Sequence, residues 1–558
     1  RRHAYFLSFF IQLSISPFLI HDWDGFVFIR TAEDMIAGQS PYETAELAPS
    51  YIYNSEFWPP LNTWYAYPPL PLIMMVPGVA LANHLGASPS IVRMFLKIPF
   101  IFGNLALAYS GSLLLKSMNK KKWRRRWELT ILFNPYLWLI ASVWGMFDAW
   151  MAALLILSMY YINENRDDAS ALMLGLASLI KIFPIALSPI FFSYLWANRD
   201  NPQNKAMRFT AISASTFLIV SLPFIVFQPN GFYNQVVWMH AKRPPQGLSA
   251  FAVPNELQKL GGDFELLGDW ISARVSEDTL TTLPMALLLG LLIIPTLSAG
   301  RKGGIEHLIS SILMGMLVIC LTSKVVNEQY LVLPVALFGL LGSRGKGWYW
   351  LGYRLGTFGG LVAAVFLGWH IFTFLPYDIS MKFFDVQAYV LLENFINNSG
   401  MDRTTIAYLP YLIALIAVAP FFILSFFAVF VSVKHAFDSI RSPFQDGTKF
   451  SPALSSVILA ALVVSPASLY LAASAVLPDD EEQNFESGHF PDADSKLIGT
   501  YYYLWWQNTA RDPEIVGGNW HKGVTQTPTD GYYSVSAGKL LQDFTTMKEN
   551  GIGLVVVS

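Results

Sequence analysis

The sequence is poor in charged residues and almost devoid of cysteine. Only 14% of its 558 residues are charged, against about 25% in a typical soluble domain. The single cysteine, Cys320, sits in an apolar run, which excludes both a disulfide framework and a cysteine metal site. A formal net charge of −2 argues against a general nucleic-acid partner. The composition therefore disfavours a soluble domain and a nucleic-acid-binding protein.

In place of charge, the chain carries long apolar runs. Hydrophobic residues make up 53% of it, and the mean hydropathy is +0.41. Apolar runs of about 17–25 residues can cross a bilayer as helices. They predict a polytopic α-helical membrane protein. The clear candidates are 4–20, 91–115, 128–143, 147–162, 208–228, 281–299, 305–322, 331–343, 355–375, 408–433 and 452–476.

Two further runs, 68–86 and 170–196, are interrupted by prolines, and the distribution of Lys and Arg decides how they cross. Short cytoplasmic loops carry the excess of both residues. The basic loop 116–126 and the N-terminal arginines are therefore cytoplasmic, which requires an even number of crossings between them. We predict that 68–86 is an interfacial helix and that 170–196 is a re-entrant pair of half-helices turning near Lys181. The chain then has about eleven full spans and two partial ones.

Acidic residues gather in the segments that this topology places outside. Asp22 and Asp24 directly follow the first span, and Asp148 closes the turn that begins at Trp144 between two spans. Carboxylates at a membrane border are costly and are often functional. Each of them alone could equally mark a membrane boundary or a hairpin turn. Their convergence on one face of the membrane predicts a functional site there.

Two groups of cations lie on the same face. Lys324 stands beside Glu328 and Gln329 in a short outer loop, where its ammonium could hold a phosphate as a point charge. The alternative is a lysine that merely extends to the membrane interface. His240 and Arg243 belong to a positive cluster in the large outer loop. Because this cluster runs against the positive-inside bias, we expect it to bind an anion.

The first outer loop resembles that of the GT-C glycosyltransferases. Asp22-x-Asp24 is followed by Gly38-Gln39-Ser40-Pro41-Tyr42 and then by Tyr65-Ala66-Tyr67-Pro68-Pro69-Leu70. The last segment alone could be an interfacial aromatic belt with a helix stop. The order of motifs is closest to that of the GPI-anchor mannosyltransferase and its prokaryotic relatives. The W-G-x-x-D turn ending at Asp148, Lys181 ahead of a proline, and K-x-x-x-x-Q-Y from Lys324 also recur among them. The resemblance covers about residues 1–345.

This resemblance implies an enzyme that transfers a hexose, mannose above all, with inversion at the anomeric carbon. The donor would be a polyprenyl-phosphate sugar such as dolichyl phosphate mannose, and the acceptor a glycan or glycolipid. The chemistry would take place on the extracytoplasmic face, in a prokaryotic plasma membrane rather than in the endoplasmic reticulum.

The chemistry of such a transfer assigns roles to the candidate residues. An acceptor hydroxyl needs one general base, whereas a phosphate leaving group needs cationic stabilisation rather than an acid. Asp24 is the expected base, and Asp22 orients it or shares a divalent cation, Mg²⁺ or Mn²⁺, with it. Lys324 binds the donor phosphate together with Arg243 or His240. The substrate contacts are assigned to Tyr42, Tyr67, Asp148, Gln329 and Tyr330.

A multispanning transporter or flippase of lipid-linked glycans is the alternative. Proline-broken half-helices such as 170–196 also build transporter sites. A transporter should carry ionisable groups near the midplane of several spans. Here the spans contain few such groups and the acids cluster outside them. The distribution of charge therefore favours the enzyme.

The tail of the chain predicts a second domain. We divide the sequence into a membrane domain at 1–477, an acidic linker at 478–495 and an extracytoplasmic α/β segment at 496–558. The aromatic strand 497–505 and the helix and apolar strand that end the chain predict a parallel βαβ unit.

Three features of this tail resemble the opening of glycoside hydrolase family 99. They are the aromatic strand, Asn519-Trp520-His521 and the segment Gly551–Ser558. That family contains endo-acting α-mannosidases and mannanases built on a (β/α)8 barrel. The resemblance implies a truncated barrel whose catalytic carboxylates lie beyond Ser558, which leaves hydrolase activity open. A generic α/β extracellular domain is the alternative.

Overall fold

The computed structural model describes residues 2–42, 65–238, 245–259, 268, 277–342, 347–374, 411–431, 499–502 and 554–557. The chain divides into two units, Arg1–Ala472 and Ala473–Ser558. Helices make up most of the described part of the first unit, and two short strands are described in the second.

The helices of the first unit follow one another along the chain, and those between Leu70 and Tyr233 have short connections. Single turns of π-helix at Leu139–Val143 and Asn234–Trp238, and of 3-10 helix at Phe183–Leu187 and Glu328–Leu331, interrupt the series. The two-residue strands β1 (Gln246–Gly247) and β2 (Val325–Val326) pair in parallel. The α-helices are α1 (Arg2–Ile15), α2 (Asp22–Ile36), α3 (Leu70–His84), α4 (Pro89–Ser117), α5 (Lys121–Leu132), α6 (Pro135–Trp138), α7 (Asp148–Asn163), α8 (Asp167–Ile180), α9 (Ser188–Asn198), α10 (Pro202–Phe227), α11 (Pro229–Tyr233), α12 (Val253–Lys259), α13 (Glu277–Ala299), α14 (Ile305–Thr322), α15 (Val332–Gly342), α16 (Gly347–Phe374) and α17 (Tyr411–Val431).

Several of these helices are long and apolar enough to cross a membrane. Within the described residues there are 5, or up to 6 if the bent pair on either side of Trp144 forms one span. The chain is therefore a polytopic helical membrane protein. Two shorter apolar helices, Ala286–Ala299 and Glu328–Gly342, account for part of the difference from the predicted count of about eleven spans. A third, Leu70–His84, lies in the run 68–86 that was predicted to be an interfacial helix.

The outward faces of the long helices agree with a lipid environment. Only 17% of the most apolar window of α10 is buried, whereas 78% of the corresponding window of α14 is buried. A soluble protein rarely exposes a continuous apolar surface of this kind. The exposed side chains of α10 include Leu218, Ile219, Leu222, Val226 and Phe227.

The chain bends sharply between α6 and α7, just before Asp148. The side-chain oxygen of Asn134 accepts from the main-chain N–H groups of Tyr136 and Leu137, which caps the start of α6. The helix ends in its π-helical turn, and the axes on either side of the break differ by 119°. Gly145 in this bend has a φ of +80°, a left-handed conformation that favours glycine.

The segment predicted as two half-helices does break at Lys181. The backbone of Lys181 is extended, which ends α8, and a 3-10 turn leads into α9. The guanidinium of Arg199, just after α9, donates to the carboxylate of Asp167 at 2.9 Å. Because Asp167 begins α8, the two ends of the segment lie together. The predicted break is confirmed, while the depth of the turn in the membrane stays a prediction.

The described strands of the second unit pair with each other. β3 (Gly499–Tyr502) and β4 (Leu554–Val557) are parallel, with Gly499 opposite Leu554. Parallel neighbouring strands need a crossover connection rather than a tight turn. The expected βαβ unit has such a connection. The helix predicted between them lies outside the described residues, and the (β/α)8 barrel stays a prediction.

Candidate active site

Asp24 lies in the first turn of α2, where the positive end of the helix dipole stabilises a carboxylate. The Nδ1 atom of His21 accepts from the main-chain N–H of Asp24 at 3.1 Å. The same Nδ1 lies 3.3 Å from Oδ2 of Asp24. Burial lowers the pKa of His21, although the charge of Asp24 acts in the opposite direction. His21 is therefore a neutral cap that orients the turn.

Tyr67 connects Asp24 to the aromatic segment that was predicted to share its loop. Its hydroxyl donates a long hydrogen bond, 3.4 Å, to Oδ1 of Asp24. The ring of Tyr67 packs edge-on against Phe28 of α2 and Phe147 of the bend. Tyr42 holds Tyr67 in this position, because its hydroxyl donates to the main-chain oxygen of Tyr67 at 2.8 Å. Tyr42 is fully buried.

A buried ion pair stands next to these aromatic rings. The ammonium of Lys181 donates to Oδ1 of Asp148 at 2.7 Å. The side chains are 4% and 0% exposed, respectively. Oδ2 of Asp148 has no hydrogen-bond partner among the described residues. A buried pair of charges carries a large desolvation cost. The fold therefore retains this ion pair in its interior although burying it lowers stability.

Aromatic rings surround the ammonium of Lys181. It lies 4.8 Å from the ring centre of Tyr330, 5.7 Å from that of Phe147 and 5.8 Å from that of Tyr67. Rings at such distances attract an ammonium through cation–π contacts. Lys181 therefore joins the Asp24 loop, the Asp148 turn and the segment after α14.

That last segment brings a further acid to the site. The main-chain oxygen of Glu328 accepts a hydrogen bond from the hydroxyl of Tyr136 at 2.5 Å. Burial raises the pKa of Glu328 to about 8. The charges of Asp24 and Asp148 act in the same direction, whereas that of Lys181 opposes them. The four ionisable residues are therefore close enough to influence one another.

Lys324 and Gln329 belong to the same segment. The main-chain oxygen of Lys324 accepts from Gln246, which extends the β1–β2 ladder. Burial lowers the pKa of the Lys324 ammonium to about 8. Gln329 is 1% exposed, and its Oε1 has no hydrogen-bond partner among the described residues. This segment thus holds one cation, Lys324, and one buried amide, Gln329, whose Oε1 has no partner among the described residues.

The structure thus brings together five residues that the sequence singled out, namely Asp24, Tyr42, Tyr67, Asp148 and Tyr330. His240 and Arg243 lie outside the described residues, as does the side chain of Asp22. The predicted roles of these three residues therefore stay predictions.

The site residues predicted from the sequence do not include Lys181, which appears there only in a motif ahead of a proline. In the structure it lies at the centre of the cluster. The signal was present: a lysine in the middle of an apolar run is costly unless it is paired. What the sequence did not reveal is the identity of its partner, Asp148.

The described side chains do not gather a metal-binding group. Within the described part of the chain, no cluster of three or more His, Cys, Asp or Glu could hold a metal ion. Asp24 is approached there by His21 and Tyr67. Its nearest acidic neighbour in sequence, Asp22, would have to supply any further oxygen ligand.

Comparisons with known proteins bear on this geometry. Residues 65–324 match the sequence profile of glycosyltransferase family 87 (GT87). GPI mannosyltransferase 1 of Candida albicans is 24% identical over 355 residues, which is 59% of this chain and 77% of that protein. These two matches support a membrane glycosyltransferase. The GT87 match extends from Tyr65 through Lys324, so it contains Tyr67, Asp148 and Lys181.

One solved structure has a weaker likeness to the chain. It is ArnT from Cupriavidus metallidurans bound to undecaprenyl phosphate, with 14% sequence identity and a TM-score of 0.42. The alignment covers 79% of this chain and 76% of that one.

Proposed function

We propose that this glycosyltransferase moves a mannosyl residue from a polyprenyl phosphate donor, such as dolichyl phosphate mannose, to a hydroxyl of a glycan or glycolipid. The observation that carries the proposal is the position of Asp24. Its carboxylate is 17% exposed and lies beside the aromatic and charged cluster around Lys181. A reachable carboxylate next to buried charges suits a general base.

The proposed reaction is a direct displacement with inversion. Asp24 takes the proton of the acceptor hydroxyl as that oxygen forms a bond to the anomeric carbon. The bond between this carbon and the phosphate oxygen breaks at the same time, and its electron pair stays on the phosphate. One general base is sufficient, because the departing phosphate is already a stable anion.

The leaving phosphate needs a positive charge, and Lys181 and Lys324 are the two candidate lysines. Lys181 is already paired with Asp148, so part of its charge is neutralised. Lys324 has a pKa of about 8 because of burial, which leaves it mostly protonated at pH 7. We therefore assign the phosphate to Lys324. We propose that Arg243 or His240 binds the phosphate together with Lys324.

The sugar is proposed to bind against the surrounding rings and amide. Tyr67 and Tyr330 present ring faces toward Lys181, and aromatic rings offer the apolar surface that a sugar face can cover. The buried Oε1 of Gln329 lacks a partner among the described residues. A sugar hydroxyl donating to it would remove an unsatisfied polar group.

The remaining proposals concern the surroundings of the reaction. A divalent cation bound by Asp22 and Asp24 stays a proposal, and no step above depends on it. We also propose that the site faces the extracytoplasmic side, as the distribution of Lys and Arg suggests. A prokaryotic plasma membrane and a family 99 hydrolase domain in the tail are proposed on sequence resemblance.

The test compares two matched substitutions on α2. Asp24→Asn removes the proposed base, while Asp34→Asn makes the same chemical change at a residue that pairs with Arg30 near the end of the helix. The purified proteins receive a radiolabelled polyprenyl phosphate mannose and a membrane lipid extract as acceptor. Loss of a general base costs about 10²–10⁴ in rate.

We expect Asp24→Asn to lose transfer by this factor while its melting temperature stays that of the wild type. Asp34→Asn should keep wild-type turnover. An Asp24→Asn protein that transfers mannose at the wild-type rate would refute the assignment, and Asp148 would become the next candidate.

A further inference from the structure

A second buried lysine lies beside the site and binds no carboxylate in the described structure. Lys97, in α4, has a fully buried side chain. Its ammonium donates to the main-chain oxygens of Ser16 at 2.7 Å, Ser142 at 3.2 Å and Val143 at 2.9 Å, and also to that of Leu19. An ammonium has three N–H donors, so these four carbonyl groups occupy it completely.

The four carbonyl groups lie at two helix ends or just after them. α1 ends at Ile15, so Ser16 follows it directly and Leu19 lies four residues beyond it, whereas Ser142 and Val143 are the last two residues of the π-helical turn after α6. Carbonyl groups at helix C-termini lack intrahelical donors and carry the negative end of the helix dipole. Two such ends placed side by side repel each other. One buried ammonium satisfies both.

The segments that leave these two ends carry the two acids. Asp24 follows Leu19 and Asp148 follows Val143, in each case after one short stretch of chain. The stretches are tied together on the way, because the main-chain N–H of His21 donates to the oxygen of Trp144 at 3.2 Å. The rings of these two residues also pack, with centres 4.6 Å apart.

We infer that Lys97 is a positioning residue that fixes the separation between Asp24 and Asp148 by capping both helix ends from which they emerge. This inference rests on the proposed function, since it assumes that the geometry of the two acids matters for transfer. A displacement of about 1 Å at a reacting group can lower a rate by about 10²-fold. No substrate contact by Lys97 is needed.

The chain provides a matched control for Lys97 on the same helix. Asn104 lies two turns further along α4, and its Nδ2 donates to Oε1 of Gln12 at 2.7 Å and to the main-chain oxygen of Leu137 at 3.0 Å. It therefore also joins α1 to α6, and it too is buried. Its Nδ2 contacts none of the four carbonyl groups that Lys97 binds, although Gln12 also accepts from the hydroxyl of Ser142 at 2.9 Å.

The experiment compares the full-length wild type with Lys97→Met and Asn104→Leu. Amide hydrogen exchange is measured in peptides covering residues 16–24 and 139–148, and kcat and KM are measured with the mannose donor. We expect Lys97→Met to speed exchange in both peptides together. It should lower kcat by about 10–100-fold with a change in donor KM below about threefold. Asn104→Leu should lower the melting temperature without this pattern.

Three outcomes would overturn the inference. They are unchanged exchange in Lys97→Met, faster exchange in only one of the two peptides, or a kcat no lower than that of Asn104→Leu. If Lys97→Met does not fold, Lys97→Gln keeps two N–H donors without the charge and is judged by the same criteria. A wild type without transferase activity would instead refute the proposed function, and the exchange data would still decide whether Lys97 joins the two segments.

Discussion

The two acids of the site, Asp24 and Asp148, lie in the first turns of the helices α2 and α7 and yet differ in their surroundings. Asp24 is partly exposed, and its oxygens face the neutral groups of His21 and Tyr67. Asp148 is fully buried and bound to the ammonium of Lys181. A carboxylate can serve as a base only where a substrate can reach it and no cation already holds it. The two environments thus suit the same kind of side chain to different roles.

The strongest way to sharpen this contrast is to remove the partner of the buried acid. Lys181→Met should leave Asp148 without its cation in an apolar interior. Loss of one partner of a buried pair costs about 3–5 kcal/mol. We expect this loss in the free energy of unfolding in detergent. No comparable loss should follow Asp24→Asn.

The double variant Lys181→Met/Asp148→Asn provides the control. Neither residue is then charged, so most of the lost stability should return although both native groups are gone. If the double variant is as unstable as Lys181→Met alone, the two residues do not act as a pair.

A second prediction extends the contrast to the cations. Lys181 is held by a carboxylate, whereas burial lowers the pKa of Lys324 to about 8. Lys324 carries its charge below that pH and loses it above. If it binds the donor phosphate, the donor KM should rise about tenfold for each pH unit above 8.

Lys324→Arg is the matched variant for this pH profile, because arginine keeps its charge throughout the range. It should bind the donor with a KM that stays level from pH 7 to pH 9. A wild-type KM that is flat over the same range would remove Lys324 from the phosphate site.

The smallest expected effect concerns the residue that links the two acids. Tyr67 reaches Asp24 through a long hydrogen bond and Lys181 through its ring. Tyr67→Phe removes the hydroxyl and keeps the ring. A hydrogen bond contributes about 0.5–1.5 kcal/mol, so we expect kcat to fall by a few-fold. Tyr67→Leu, which also removes the ring, should lower it further. Equal kcat values for Tyr67→Phe and Tyr67→Leu would show that the ring of Tyr67 does not contribute to transfer.

Much of the fold could be predicted from the apolar runs. Each run from 4–20 to 408–433 contains a described helix, because burial in lipid demands apolar residues at every turn. The number of full spans was harder to predict. Bends such as the one at Gly145, and short helices such as Leu70–His84, depend on what packs against them.

The site was predictable as a set of motifs but not as a set of contacts. Asp24 and Tyr67 were placed in one loop, and the structure joins them. The pairing of Asp148 with Lys181 depends on how two helix breaks meet, which no local pattern encodes. The partners of Lys97 were still harder to predict from the sequence. All its described hydrogen-bond partners are main-chain carbonyls, which any residue could provide.

The central claim is that Asp24 removes a proton from the acceptor, and azide tests it most directly. Azide is a nucleophile that has no proton to lose, so it should not require the base. Asp24→Ala supplied with the mannose donor should be inactive toward hydroxyl acceptors and should form mannosyl azide when azide is added. The product should have the anomeric configuration opposite to that of the donor. If Asp24→Ala still binds the donor but forms no mannosyl azide, the assignment of Asp24 as the base is contradicted.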